Sequence, residues 1–171
     1  MATTADFQAK YLQILTNSPY MANVLKPGRT VADVQYYAYN GAVGFQVSGS
    51  NLLVNVPQTA SFDTQSDSDF VLTTISAAVQ EVTGGPMAYN DNVTLQIQDL
   101  STGKFLFNVP TVMGLVTGAG GFPFVLPAPR VFNPNTSIAV TVENRDAIVN
   151  GGAGLVNFFY AFQGTRIFYA N

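Results

Sequence analysis

Short runs of β-forming residues, separated by turn signals, dominate the sequence after Thr30 and set the class of fold. Residues 93–98 alternate apolar and polar side chains, as expected for a strand with one buried and one exposed face. Residues 99–103 have turn composition, and residues 104–109 are predicted to return as the hairpin partner. Strands that follow one another with no helices between them are typical of antiparallel sandwiches and barrels.

The same pattern predicts further strands at residues 31–39, 43–47, 52–56, 70–75, 137–142, 155–162 and 166–169. The dipeptides Asn40-Gly41 and Gln163-Gly164 are predicted to be turns between strands. We therefore expect an all-β fold, an antiparallel β-sandwich, with a jelly roll as the first choice of topology. An immunoglobulin-like sandwich is the alternative, because strand spacing does not determine strand order.

The N-terminal stretch has helical periodicity. Its apolar residues recur at i, i+4, i+7 and i+8, the spacing of one helix face: Phe7, Tyr11, Ile14 and Leu15. Lys26-Pro27-Gly28-Arg29 then has the composition of a turn or linker. We expect residues 1–30 to be an arm with a short helix, and residues 31–171 to be the sandwich domain. The four apolar residues would contact another protein. The alternative is a helix packed on its own domain.

Histidine and cysteine are both absent from the sequence. Without them, Ser-His and Cys-His nucleophilic devices and most metal sites are excluded. The only glutamates, Glu81 and Glu143, have no spacing that would pair them as acid and base. We therefore expect a protein that is not an enzyme and has no cofactor.

Charged residues make up 10% of the chain, whereas an ordinary domain has about 25%. They are missing from residues 34–62, 105–129 and 147–165. Because a monomer normally keeps its surface charged, this pattern indicates surfaces covered by other chains, and we expect a homo-oligomer, a trimer or a dimer. The alternative is a surface that is simply neutral. Since the cations are scattered, no nucleic-acid partner is expected.

Residues 109–129 are predicted to form a contact loop. The segment is long and apolar for a hairpin tip, and its Pro and Gly residues are expected to deny it a regular β-ladder. They also interrupt it too often for a membrane helix, so no membrane partner is expected. The side chains that would be costly to leave in water, and are predicted to contact another chain, are Met113, Leu115, Phe122, Phe124 and Val125.

Two weaker patterns leave alternatives open. Asp63, Asp67 and Asp69 contain the hard oxygen ligands that calcium prefers, but their spacing favours solvated turn acids ahead of a strand. The aromatic residues within 36–39 and 158–162 could stack on sugar rings, although core and interface packing explain them equally well.

Four segments have distinctive residue patterns. They are a polar lead-in to a strand that ends on small residues (67–77), a strand entering an Asp–Thr-Gly turn (94–104), a Pro-containing stretch before a strand (126–144), and an aromatic C-terminal strand (159–168). Together they resemble the β-sandwich virion proteins of tailed bacteriophages, of the capsid decoration (cement) and minor structural kind.

The resemblance extends over roughly residues 60–171. It implies a jelly-roll-like domain located in the virion, without catalytic residues, that binds the major capsid protein or other virion subunits. Two other classes of function stay open. One is a carbohydrate-binding β-sandwich module, and the other is a membrane-inserting β toxin that would insert residues 105–129.

Overall fold

The computed structural model describes Gln13 and residues 24–45, 47–48, 51–52, 55–80, 87–88, 92–117, 123–145 and 157–170. Within these residues the chain is almost entirely β. The strands are β1 (Val31–Gly44), β2 (Val47–Ser48), β3 (Asn51–Leu52), β4 (Gln58–Asp63), β5 (Asp69–Gln80), β6 (Met87–Ala88), β7 (Val93–Asp99), β8 (Lys104–Phe105), β9 (Thr111–Val112), β10 (Phe124–Phe132), β11 (Ser137–Asn144) and β12 (Asn157–Tyr169). One helical turn, α1 (Met113–Val116), follows β9.

The strands form two packed antiparallel sheets. Sheet I has the order β1-β12-β5-β10, with β6 also paired to β5, and sheet II has the order β4-β11-β7-β8, with β9 also paired to β7. The short strands β2 and β3 pair with each other. The prediction of an all-β antiparallel sandwich is therefore confirmed.

The strand pairs are nested around the turn that joins β7 to β8. β7 pairs with β8, β5 with β10, β4 with β11, and β1 with β12. The chain thus forms a long antiparallel ribbon, folded so that successive pairs lie in alternate sheets. This is jelly-roll topology, as predicted, and the immunoglobulin-like order is not the one observed.

The turn at the tip of this ribbon joins β7 to β8. The Asp99 carboxylate accepts the N–H groups of Ser101 at 2.9 Å and Thr102 at 3.1 Å. Gly103 has a φ of 70°, a left-handed conformation that costs glycine little. The turn predicted at residues 99–103 is confirmed.

The core lies between the sheets and is rich in aromatic side chains. Phe158, Tyr160 and Phe162 alternate along β12 toward sheet II, as a strand with one buried face requires. Tyr39 of β1 stacks on Phe62 of β4 with a ring-centroid distance of 5.1 Å, which ties the two sheets together.

Two dipeptides predicted to be turns lie inside long strands instead. Gly41 pairs with Tyr160, and a side chain added at Gly41 would meet the Tyr160 hydroxyl oxygen at 2.3 Å. Gly164 follows a register shift between β12 and β5, where an added Cβ would lie 1.9 Å from the Val71 carbonyl oxygen. Both glycines therefore permit close packing, a requirement that local sequence does not distinguish from a turn.

Residues 109–129 contain more regular structure than predicted. β9 and α1 occupy its first part, and β10 begins at Phe124 and continues through Pro127 and Pro129. Proline is tolerated here because β10 is an edge strand of sheet I and both prolines lie where its register with β5 shifts. The expectation that this segment has no β-ladder is therefore wrong for β9 and β10.

The described end of the predicted arm packs on the sandwich. The Arg29 N–H donates to the Lys26 carbonyl oxygen at 3.3 Å, and Gly28 has a φ of 75°, so the predicted turn is confirmed. Val24 belongs to a small apolar cluster formed with Val34, Val71 and Ile167. Farther upstream, Gln13 is helical and exposed, consistent with the predicted helix at this residue.

We expect Gly164→Ala to lower the free energy of unfolding by about 3 kcal/mol or more, because the new methyl group overlaps a backbone carbonyl that cannot move without breaking the sheet. Gly44→Ala is the matched control, since a Cβ there meets its nearest atom at 3.8 Å. Urea unfolding of both variants measures the difference. Equal stabilities would contradict the close approach at Gly164.

Candidate functional site

Among the described residues, the edge strands of the two sheets define one side of the sandwich. At one side of the sandwich, β1 of sheet I contacts β4 and β11 of sheet II. At the other side, the edge strand β10 of sheet I therefore faces β8 and β9 of sheet II. α1 contacts β5, β7 and β9, and so lies between the sheets there. We refer to this region as the open side.

The helical turn α1 presents one residue to solvent. Met113 and Val116 are buried, whereas Leu115 is 66% exposed. Residues two apart on a helix point about 200° apart, so Leu115 faces outward because Met113 faces inward. The Thr117 hydroxyl donates to the Met113 carbonyl oxygen at 2.8 Å and ends the turn.

The edge strand β10 also divides its apolar side chains between core and solvent. Phe124 is half-buried and packs against the core, whereas its neighbour Val125 is 67% exposed. The register with β5 shifts between Val125 and Arg130. Since Pro127 and Pro129 have no N–H to donate, another strand is not expected to pair with this edge.

These positions can be compared with the predicted contact residues. Leu115 and Val125 are exposed on the open side, and Phe124 is half-buried. Met113 is fully buried in the core of its own domain, where a second chain does not reach it. The other predicted contact residues lie outside the described residues, and their contacts stay a prediction: Phe7, Tyr11, Ile14, Leu15 and Phe122.

Three further exposed apolar residues among those described were not singled out from the sequence, and one of them, Leu100, is 49% exposed in the turn before β8. The other two lie farther along the chain. Phe105 is 47% exposed at the end of β8, and Val109 is 55% exposed before β9. Both fall in the charge-free stretch 105–129, which was the available signal. Phe105, Val109, Leu115 and Val125 together are called the apolar edge.

Arg166, near the C-terminal end of β12, contacts several polar and aromatic side chains. Arg166 donates to the Ser68 hydroxyl at 2.8 Å and forms a short ion pair with Asp67. Its guanidinium also lies over the rings of Tyr37 and Phe168, 5.0 and 4.8 Å from their centroids. The hydrogen bond from Arg166 lowers the pKa of the Asp67 carboxyl below its ordinary value.

A second ion pair fixes residues 24–30 to the sandwich. Lys26 Nζ lies 2.8 Å from Oδ1 of Asp69, whose side chain is buried. Within the described residues Asp69 Oδ2 accepts no hydrogen bond, so Lys26 is the group that compensates the buried charge. The Lys26 N–H also donates to the Tyr169 hydroxyl at 3.2 Å, and burial raises the pKa of Tyr169.

The three aspartates considered for calcium therefore have separate partners. Asp63 accepts a short hydrogen bond from the Ser137 hydroxyl, while Asp67 and Asp69 pair with the two cations described above. No group of three potential metal ligands occurs among the described residues. Asp69 corrects the expectation of solvated acids, because its side chain is buried against Lys26.

The predicted aromatic clusters are divided between the core and the surface. Tyr39, Phe158, Tyr160 and Phe162 are buried, with many ring contacts, and burial raises the pKa of both tyrosines. Tyr36 is exposed, and its hydroxyl donates to the Gln163 side chain at 3.1 Å. Core packing therefore accounts for most of these aromatic residues.

A shallow trough of about 580 Å³ lies on the outer face of sheet I, across β1, β12 and β5. The register aligns outward side chains across these strands in two rows, Asn40–Ala161–Ser76 and Ala42–Phe159–Ala78. None of them is charged, and most are small. We refer to this feature as the outer trough. The charge-free stretches 34–62 and 147–165 supply β1 and β12, but their meeting with β5 depends on strand order.

Of the two glutamates, Glu143 is described and Glu81 is not. Glu143 Oε1 lies 3.8 Å from Arg145 Nε, in a partly exposed pair. The position of Glu143 beside a cation gives it a structural partner.

Asp67 should make the free energy of unfolding depend on pH in the acid range. Its folded pKa is lowered, so its contribution is complete above the unfolded pKa, near 4, and is lost as the pH falls through the lower folded value. We therefore expect the stability difference between the wild type and Asp67→Asn to shrink between pH 4 and pH 2. Urea unfolding across this range measures it; a difference that grows on acidification would contradict the assignment.

Lys26→Met is expected to lower the free energy of unfolding by about 2–3 kcal/mol, because the buried Asp69 carboxylate loses its cation. Because Lys26 is partly exposed, we expect a loss of unfolding free energy near the lower end of the range for a buried ion pair. Lys104→Met is the control, since Lys104 is exposed and changes there should cost about 0.5 kcal/mol or less. Equal effects of the two substitutions would show that the pair does not hold residues 24–30 in place.

No helix among the described residues is long and apolar enough to cross a membrane. No family model and no curated protein matches the sequence. Among solved structures, one described as "Structure of infectious bursal disease virus Gx strain" is similar with a TM-score of 0.26 and 11% identity. The match covers 85% of this chain and 45% of that chain, so this chain spans less than half of its length. A TM-score this low carries no argument about function.

Proposed function

We propose that this chain is a virion structural protein that packs on or between capsid subunits and stabilises the particle. The jelly roll supports this proposal, because viral capsid domains are among its main uses. Lectins and cupins use the same topology, so the fold alone does not distinguish among these functions. The surfaces of the sandwich must distinguish them.

The observation that carries the proposal is the apolar edge. Phe105, Val109, Leu115 and Val125 lie on or next to β8, β9, α1 and β10, at the edges of the two sheets, and each is about half exposed or more. Exposed apolar area costs about 25 cal/mol per Å² relative to burial, so these side chains favour a second protein surface.

The surroundings of the apolar edge indicate the chemistry of its partner. Lys104 adjoins Phe105, and Arg130 lies on β10 after Val125. A partner with an apolar centre and acidic residues at its rim would complement them. Because Pro127 and Pro129 interrupt the edge, the contact is made by side-chain packing and not by strand addition.

Further parts of the proposal rest on the resemblance to phage virion proteins. The chain would be a decoration or minor capsid protein located in the virion. It would bind the major capsid protein or another virion subunit, and it would form a homo-oligomer, a trimer or a dimer. The low charge of the chain supports the oligomer. Absence of enzymatic activity belongs to the same proposal, since the sequence lacks histidine and cysteine.

Two measurements test the function. Sedimentation equilibrium is expected to detect a trimer or a dimer, and co-sedimentation with purified virus particles to detect binding at a fixed ratio. A strict monomer that binds no particle would contradict the proposal. Binding to a glycan array instead would favour the carbohydrate-binding alternative, for which exposed Tyr36 is the available stacking surface.

We expect the double variant Leu115→Ser, Val125→Ser to weaken association at least tenfold while leaving the melting temperature nearly unchanged. Both side chains are exposed, so their loss removes contact area without opening a cavity. Met113→Ala is the matched comparison on α1. It should lower the free energy of unfolding by about 2–5 kcal/mol, because Met113 is fully buried. If the double variant unfolds the protein and leaves association intact, the apolar edge is not an interface.

A further inference from the structure

We infer that two copies of this chain associate through the unpaired edge of β1, by antiparallel pairing of β1 with the β1 of the second copy. A two-fold axis would relate the copies, and their two sheets I would join into one continuous sheet. This inference rests on the homo-oligomer of the proposed function and names the surface that forms it. That surface lies on the side of the sandwich opposite to the apolar edge.

β1 differs from the other strands that end a sheet in the described part of the chain. It has 14 residues, Val31–Gly44, with neither proline nor lysine among them. At the opposite edge of sheet I, β10 contains Pro127 and Pro129 and a shift in register. In sheet II, the edge strand β4 has six residues and β8 has two. Short length, proline and lysine keep sheet edges from pairing with other chains, and β1 has none of these protections.

The backbone of β1 is accessible along its unpaired edge. Gly44 is exposed, and because glycine has no side chain, the exposed surface is that of the backbone. The Val34 N–H donates to the Asp33 carboxylate at 2.8 Å, an acceptor outside β12, so the Val34 backbone lies on the unpaired edge. The register with β12 is regular from Asp33 to Gly44, and backbone groups alternate in direction along an antiparallel strand. The residues whose backbone groups lie on the unpaired edge are therefore Val34, Tyr36, Ala38, Asn40, Ala42 and Gly44.

The charge pattern of β1 suits a second copy of the same strand. Residues 34–44 contain no charged side chain, so this edge can lie against itself without like-charge repulsion. In a ladder centred on Ala38, the nearest charged residue, Asp33, lies opposite Val43 of the second copy. The two Asp33 residues are then about 33 Å apart along the strands, at about 3.3 Å per residue.

The ladder would pair the backbone groups that the edge exposes. Residues 34, 36, 38, 40 and 42 of each copy would exchange about ten backbone hydrogen bonds, two for each facing pair. A typical protein–protein interface carries a similar number. Because the pairing uses the same edge on both copies, association closes at two chains. The inference therefore selects the dimer over the trimer.

Charge substitution at the centre of the edge tests this arrangement. Ala38→Lys and Ala38→Glu each place like charges across the two-fold axis, and sedimentation equilibrium should show self-association weakened at least tenfold. An equimolar mixture of the two variants should associate again, because opposite charges then face one another. Ala78→Lys is the matched control, since Ala78 is also half-buried in sheet I but lies on β5, away from the edge. Circular dichroism checks that each variant keeps its β structure.

The outcomes separate this inference from the proposed function. A dimer that Ala38→Lys leaves intact, that Ala78→Lys weakens equally, or that the mixture does not restore would overturn the inference and leave the homo-oligomer in place. A strictly monomeric wild type would overturn both. If Ala38→Lys abolishes binding to virus particles without affecting self-association, the edge receives a strand of another protein, and the inference is wrong.

Spin labelling gives an independent readout, because the sequence contains no cysteine. In the full chain, nitroxides on Ala38→Cys would lie on strands spaced about 4.8 Å apart and should show strong dipolar broadening between the copies. Nitroxides on Ala78→Cys would be separated by five strand spacings and an offset of about eight residues, about 35 Å in all, and should show none. Dilution with unlabelled protein should remove the broadening at residue 38. Absence of broadening at residue 38 in a dimeric sample, or equal broadening at both positions, would contradict pairing through β1.

Discussion

The insertion of β12 between β1 and β5 is the constraint on which the rest of the structure depends. β12 pairs with β1 along nearly its whole length and with β5 on its other edge, so sheet I is complete only when the C-terminal strand is in place. Its Gly164 allows the Val71 carbonyl oxygen to approach where any side chain would collide. Because the partners are distant in sequence, the sandwich depends on non-local contacts, which form slowly.

The two faces of β12 organise the molecule differently. Phe158, Tyr160 and Phe162 fill the space between the sheets and account for much of the aromatic core. On the outer face, Ile167 receives Val24, while Ala161 and Phe159 line the outer trough. The period of two along one strand therefore separates what holds the sandwich together from what it presents on that face.

Charge is concentrated where β5 begins. Asp67 pairs with Arg166 of β12, and buried Asp69 pairs with Lys26 ahead of β1. These pairs join the start of β5 to its neighbour β12 and to the segment that precedes β1. The open side and the outer trough are correspondingly poor in charge, which leaves apolar packing as their means of contact.

The sequence by itself determined the β class, the β7–β8 hairpin with its Asp99 turn, and the charge-free stretches from which both candidate surfaces are built. These are local properties, because periodicity and turn chemistry act within a few residues. Only the tertiary structure decided that Asn40-Gly41 and Gln163-Gly164 lie within strands, that prolines belong to the edge strand β10, and that Met113 is buried while Leu115 is exposed. Those outcomes depend on which distant strand lies alongside, and close approach between strands places the same demand for glycine as a turn does.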